Sequence, residues 1–250
     1  MQNSILNYAT FSKAQKSEIK QAVDEFFAWH RTSELPKYAQ YLEQISNEIE
    51  QGDFDQAGVL DHLNQIRRMS QYSFKRSPVA KAAPFFKTIS DKQVLEIEAH
   101  LKKKDEKFTE WYEERELTGG DAGRLKKIVK NVGRVGIKLN ADQAKIIQQG
   151  LDQYRGGPLE RFEIWNRWEA ELIRLFHQRS EAEFEETVTQ HLQQYQDQML
   201  LHSPENHLHN QRVTADIITE LLASLTPPQK ATLLKKINKI RKTLISIANR

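Results

Sequence analysis

The chain contains no cysteine, so disulfide bonds and thiolate metal sites are closed to it. Glycine (10) and proline (7) are scarce in 250 residues, and no strand-like alternation runs beyond a few positions. Few β-branched runs and few breakers favour helix nearly throughout. No run of about 18 apolar residues occurs, so no transmembrane helix is expected. The formal charge of +3 is too small to name a partner by itself. The opening "MQNSILNYATFSKAQ" has no charged apolar leader, which suits either a cytosolic start or a chain cut after a removed leader.

What the chain has instead is glutamine, charge and helical periodicity. There are 22 Gln, 28% charged residues and only 38% hydrophobic residues, a mix that makes long polar helix faces over a modest interior. Ile19, Val23, Phe26, Phe27, Tyr38, Leu42, Ile45 and Ile49 keep a helical rhythm through 12–51. Pro36 marks a kink or restart there, with Ser33 as its cap and Gly52 as the stop. Further helices are expected over 55–72, 90–117, 121–138, 140–154, 158–179, 211–224 and 227–248. Ser180 with Glu183 reads as a capping box for one more. The connectors are "KRSPVAKAAP" (75–84), "TGGDAG" (118–123), "RGGP" (155–158) and "LHSPENHLHN" (201–210). The expected fold is therefore all-α: roughly nine helices in an elongated antiparallel assembly. It forms one domain, or two helical subdomains divided near 75–89 or 155–158.

One phrase recurs. "FSKAQ" (11–15), "ISDKQ" (89–93), "LNADQ" (139–143) and "LTPPQ" (225–229) each hold an apolar residue, a capping residue and then Gln. Ser12, Ser90, Asn140 and Thr226 are helix N-cap types. Gln15, Gln93, Gln143 and Gln229 fall three positions later, where a side-chain oxygen reaches back to the cap N–H. Four residues beyond each Gln stands Ile19, Ile97, Ile147 or Leu233, one turn on and expected in the core. The separations of 78, 50 and 86 residues exclude a regular solenoid.

"LTPPQ" resembles the LTXXQ motif of Spy/CpxP-type periplasmic stress and chaperone proteins. A longer resemblance is to a domain-of-unknown-function family of Gram-negative outer-membrane lipoproteins. It runs through "FSKAQKSEIKQAVDEFFAWHRTSELPKYAQYL" (11–42) and "EWYEERELTGGDAGRLKKIVKNVGRVGIKLNADQ" (110–143). It continues in "WNRWEAELIRLF" (165–176) and "LTPPQKATLLKKI" (225–237). Trp29, His30 and Arg31, then Leu35 and Pro36, are its most specific part. The resemblance implies a periplasmic protein tethered to the outer membrane by a lipidated Cys, a residue this chain does not contain. It lends no catalytic activity.

No catalytic, cofactor-binding or metal-binding motif stands out. His202, His207 and His209 lack a convincing further ligand set and read as a solvated loop. Glu96 and His100, one turn apart, read as a surface pair. The aromatic groups Phe26, Phe27 and Trp29, Trp111 and Tyr112, and Phe162, Trp165 and Trp168 read as core. The charge pattern carries more. Six basic residues and no acid lie between 124 and 138, with Lys126, Lys130, Arg134 and Lys138 recurring every four residues. Leu125, Ile128, Val129, Val132 and Val135 mark the opposite face. Seven basic residues and no acid lie between 230 and 250, among them Lys235, Lys239 and Lys242. These faces suit acidic unfolded protein clients or an anionic membrane surface. No nucleic-acid recognition motif accompanies them. The expected function is non-enzymatic, periplasmic and chaperone-like. The alternatives are a scaffold lipoprotein with one envelope protein partner, and a hydrolase or metal enzyme of unrecognised type.

Overall fold

A computed structural model describes residues 6–117, 122–134 and 136–250. Positions 118–121 of the expected turn, and Val135 of the expected apolar face, lie outside the described residues. The fold is all-α, with no strand among the described residues. The α-helices are α1 Lys13–Trp29, α2 Leu35–Gln51, α3 Gln56–Lys75, α4 Ala83–Lys87, α5 Asp91–Leu117 and α6 Ala122–Arg134. They continue as α7 Ala141–Leu151, α8 Pro158–His177, α9 Phe184–Gln193, α10 Gln198–His202, α11 Pro204–Ala223 and α12 Pro227–Ala248. A π turn, His30–Glu34, joins α1 to α2. With that pair counted as one helix, eleven stand among the described residues, against the nine expected; the two five-residue helices account for the excess.

Three local expectations are corrected. Ser33 is not a cap: helical backbone runs through it, and its hydroxyl donates to the Glu34 carboxylate at 3.0 Å. Ser180 and Glu183 form no capping box. Glu183 stands at the N-cap of α9 with near-helical dihedrals and no side-chain bond, because 178–183 is a run of turns. The stretch 201–210 is helical except at Ser203. Pro204 takes the first position of α11, where its missing N–H costs nothing. The connector 75–84 also holds a short 3-10 turn, Val79–Lys81, before α4.

The chain divides into two compact units, each assembled from three stretches. Unit 1 comprises Met1–Ala28, Met69–Glu116 and Gly156–Pro204; unit 2 comprises Trp29–Arg68, Leu117–Arg155 and Glu205–Arg250. One boundary falls at 155/156, whereas 75–89 lies inside unit 1.

Unit 1 is organised around α5, α8 and α9. Val94 and Ile97, then Trp168, Leu175 and Phe176, then Phe184, Val188 and Leu192, interlock in one buried cluster. The i, i+4 spacing of the last three sets one whole face of α9 inward. Phe176 is 1% exposed and meets the Phe86 ring at 4.6 Å. Trp168 and His191 clasp each other: the indole N–H donates to the His191 carbonyl at 3.1 Å, and His191 Nε2 lies 2.9 Å from the Trp168 carbonyl. The two rings stack at 4.7 Å. A smaller cluster of Phe11, Ile19 and Val23 packs with Phe85.

Unit 2 is a set of antiparallel helix pairs. Lys230 Nζ reaches the Glu50 carbonyl at 3.1 Å and Arg241 the Glu43 carboxylate at 3.1 Å, so α12 runs back along α2. Gln56 with Asp216, and Gln211 with Asn64, set α3 against α11 in the same sense. His62 on α3 ties down α2 twice, with Tyr41 at its Nδ1 (2.6 Å) and Glu48 at its Nε2 (2.5 Å). Burial pushes the Tyr41 phenol above its usual range. Burial also works to raise Glu48, but hydrogen bonds from Gln44 and His62 outweigh it and leave the carboxyl below its ordinary value. α7 and α11 approach closely because residue 150 is glycine: a Cβ there would lie 2.2 Å from Ile217 Cγ1. Beside that contact Arg155 and Asn210 exchange two hydrogen bonds, at 2.8 and 2.7 Å.

Two outcomes follow. Gly150→Ala gains about 1 kcal/mol of helix propensity but overpacks Ile217, so a net loss of about 1–3 kcal/mol is expected in urea unfolding. Adding Ile217→Ala recovers part of it, whereas purely additive losses would contradict the contact. Burial, partly offset by the hydrogen bond to the Trp168 carbonyl, lowers the His191 pKa below its ordinary value; burial lowers His30 likewise. Their stabilising contribution is complete above the unfolded value of about 6.5 and is lost as pH falls through the lower folded values. Thermal melts should therefore drop on acidification from neutrality, and less steeply in His191→Gln.

Candidate binding surface

Each of the four repeated phrases starts a helix, and each glutamine reaches back to its own cap. Gln15, Gln93, Gln143 and Gln229 accept the backbone N–H of Ser12, Ser90, Asn140 and Thr226 at 2.9–3.0 Å. In return each cap oxygen accepts the glutamine N–H, at 2.8–3.4 Å. Ile19, Ile97 and Ile147 are buried one turn on, while Leu233 is half-buried.

The phrases also meet in pairs, one pair in each unit. In unit 1 the amides of Gln15 and Gln93 exchange hydrogen bonds at 3.2 and 2.8 Å. In unit 2 Gln143 and Gln229 do the same at 2.9 Å both ways. Gln93 then donates to the Thr10 carbonyl and Gln143 to the Ser224 carbonyl, each two residues before the partner's cap. Gln229 donates likewise to the Lys138 carbonyl at 2.7 Å. Gln143 is 0% exposed and Gln93 7%, so one amide of each pair is buried with its hydrogen-bonding capacity met. Two helix N-termini carry like partial charge. A pair of neutral amides joins them without burying an ion.

The unit 2 pair positions the charged surface. Through Lys138 and Gln229 it brings the end of the α6 segment to the start of α12. Gly136 makes the tight approach: its φ is +90°, and a Cβ there would lie 3.2 Å from Thr232 Cγ2. Lys126, Lys130, Arg134 and Lys138 are all exposed, as are Lys235, Lys239 and Lys242. None of the seven forms an ion pair with an acid among the described residues. Among the described residues Arg134 bonds only within its own helix, to Asn131 at 3.1 Å. Leu125, Ile128, Val129 and Val132 are half-buried, so α6 presents cations outward and aliphatic side chains inward. The two basic runs, far apart in sequence, thus belong to one unit and meet at their ends.

Other sequence expectations resolve differently. Glu96 and His100 do not pair with each other: Glu96 accepts the Thr10 N–H, and His100 packs on the Tyr8 ring at 4.4 Å. Phe27 and Trp111 are not core, each being 47% exposed. Ile19 and Val23, with half-buried Phe26, hold the inner stripe of α1 and leave Phe27 beside it. Trp111 lies under the Arg115 guanidinium at 5.8 Å. His202 closes α10, while His207 and His209 sit in α11, with His209 Nε2 2.8 Å from the Gln153 carbonyl. No group of three His, Asp or Glu among the described residues is arranged to hold a metal ion.

The feature least visible in the sequence is the π turn. Leu35 N–H donates to the His30 carbonyl, five residues back. Pro36 follows, with no N–H to continue the α pattern and a ring that crowds the preceding turn. The wide turn buries Glu34 to 2% exposure, with Lys37 Nζ at 2.7 Å on its carboxylate. The only sequence signals are Pro36 itself and a lysine three residues after the glutamate.

Gln143→Ala strands the Asn140 N–H and the Ser224 carbonyl and should cost about 3 kcal/mol in chemical unfolding. Gln229→Ala, at a half-exposed position, should cost about half as much. A double-mutant cycle should return a coupling of about 1 kcal/mol or more; zero coupling would contradict the pairing.

Searches of curated proteins and of solved structures return no match. A family model described as a family of unknown function, DUF6279, matches residues 7–206. That span takes in α1 through α10 and three of the four capped glutamines, and the chain belongs to this family of unknown function.

Proposed function

We propose that the protein is a non-enzymatic binding module of the cell envelope that captures acidic, unfolded protein segments on a basic helix face. The carrying observation is the row of exposed cations on and just after α6, Lys126, Lys130, Arg134 and Lys138, with no acid bound to them among the described residues. Four residues of helix advance about 6 Å. Two residues of extended chain advance about 6.6 Å. An extended client with acids on alternate positions therefore keeps step with Lys126, Lys130 and Arg134 along α6. Each exposed pair contributes only about 0.2–1 kcal/mol and is screened by salt, so capture is weak, rapid and reversible. The likeness of the four capped phrases to the LTXXQ motif supports a chaperone-like role. The likeness to outer-membrane lipoproteins supports a periplasmic, membrane-tethered location.

A scaffold role with one specific envelope partner is the second reading. It is favoured by Trp111, an exposed indole beneath Arg115, which is the kind of anchor a single partner uses. Recovery of one partner at fixed stoichiometry, lost in Trp111→Ala, would select it.

The client reading is tested by light scattering of a chemically unfolded acidic protein. The chain should suppress aggregation in low salt, and Lys126→Gln with Lys130→Gln and Arg134→Gln should weaken suppression about tenfold. No suppression at stoichiometric excess in low salt would overturn it.

A further inference from the structure

The C-terminal half of α12 differs from α6 in one respect: its cations are accompanied by exposed aliphatic side chains. Ile237, Arg241, Leu244 and Ala248 recur at steps of four, three and four, and are buried or half-buried. This stripe lies along α2, where Arg241 reaches Glu43. Lys235, Lys239, Lys242 and Ser246 recur at the same steps, two residues out of phase, which puts them on the opposite side of the helix. All four are exposed. Ile240 and Ile247 flank the lysines on one side and Ile245 on the other, at 41%, 37% and 39% exposure. On α6, by contrast, the aliphatic residues described are half-buried.

From these positions we propose that the outer face of α12 docks on the surface of an anionic phospholipid bilayer, with Lys235, Lys239 and Lys242 on the phosphates and Ile240 and Ile247 inserted among the head groups. Lys235, Lys239, Lys242, Thr243 and Ser246 line one shallow trough. The Thr243 hydroxyl is committed to the Lys239 carbonyl at 2.9 Å, so the Ser246 hydroxyl and the ammonium groups are the donors to phosphate oxygens. Lysine is a flexible point charge, suited to a fluid field of phosphates more than to one fixed carboxylate pattern. Long lysine stems lie along apolar surface while their ammonium groups reach the polar layer. From Lys235 to Ile247 the helix is about 18 Å long, and packing against α2 holds it as a rod, so its cations engage a planar surface together. No acid occurs between 230 and 250 to oppose the approach. An acidic client would use the lysines but has no need of three exposed isoleucines beside them. A second copy of this helix would meet the same positive charge.

The test is co-sedimentation of the full chain with vesicles of mixed phosphatidylglycerol and phosphatidylcholine, against pure phosphatidylcholine. Binding is expected to the anionic vesicles alone and to weaken as salt rises. At about fivefold per charge, Lys235→Gln with Lys239→Gln and Lys242→Gln should cost on the order of 100-fold in partitioning. Ile240→Ser with Ile247→Ser should cost about tenfold in partitioning; both residues are partly covered, so a melt without vesicles should fall by a few degrees while the variant stays folded at the assay temperature. Equal binding to neutral vesicles, or triple-lysine binding at the wild-type level, would overturn the proposal. So would full displacement of the vesicles by polyglutamate with no effect of the isoleucine changes, which assigns the face to acidic protein. A dimer in sedimentation equilibrium that dissociates in the isoleucine variant would assign it to a second copy and overturn it equally. The proposal is independent of client capture: Lys126→Gln with Lys130→Gln and Arg134→Gln should leave vesicle binding within about twofold of wild type.

Discussion

Two helix N-termini joined through a pair of glutamine amides are the contact on which each compact unit is built. Each glutamine closes the capping box of its own helix and exchanges hydrogen bonds with the glutamine of another. In unit 2 the link runs from Gln143 to Gln229 and onward to the carbonyls of Ser224 and Lys138. It anchors the starts of α7 and α12 and, through Lys138, the end of the α6 segment. In unit 1 Gln15 and Gln93 do the equivalent for α1 and α5. An amide carries both a donor and an acceptor, so two of them satisfy each other and two helix starts together. Carboxylates could cap the helices but would lack the donors for the exchange.

Around these junctions the interior is modest, and polar bonds between helices share the positioning. Unit 1 has its interlocked aromatic and aliphatic cluster. Unit 2 holds α2, α3, α7, α11 and α12 together with fewer large side chains and more specific pairs: Tyr41 and Glu48 with His62, Asn64 with Gln211, Arg155 with Asn210. A chain with 22 Gln and 38% hydrophobic residues spends its polar side chains on such links. The charge left outside is then one-sided. On α2 the Glu43 carboxylate takes Arg241 of α12 and the Glu50 backbone carbonyl takes Lys230, and the outer lysines keep no acidic partner among the described residues.

Much of the fold was legible because its signals are local. Helix starts at Ser12, Ser90, Asn140 and Thr226 follow from bonds spanning three residues, and Gly52 ends α2 with a left-handed φ of 76°. The misreadings are places where a local signal was outweighed. Ser180 and Glu183 have the spacing of a box, but a run of turns leaves no helix for Ser180 to cap. "LHSPENHLHN" looks like a loop, yet Pro204 at a first helical position lets α11 begin at once. Phe27 and Trp111 are large and apolar but fall beside the buried stripe of their helices.

The sequence by itself determined the all-α class, the four helix-start devices and the two acid-free basic runs, since each depends on residue types within a few positions of one another. Only the tertiary structure decided which glutamines pair, across 78 and 86 residues, and which amide of each pair is buried. It also decided that Glu34 is enclosed by a π turn and that the isoleucines of α12 are left uncovered beside its lysines. Those outcomes depend on which helices become neighbours, and a capping box carries no information about the helix it will meet.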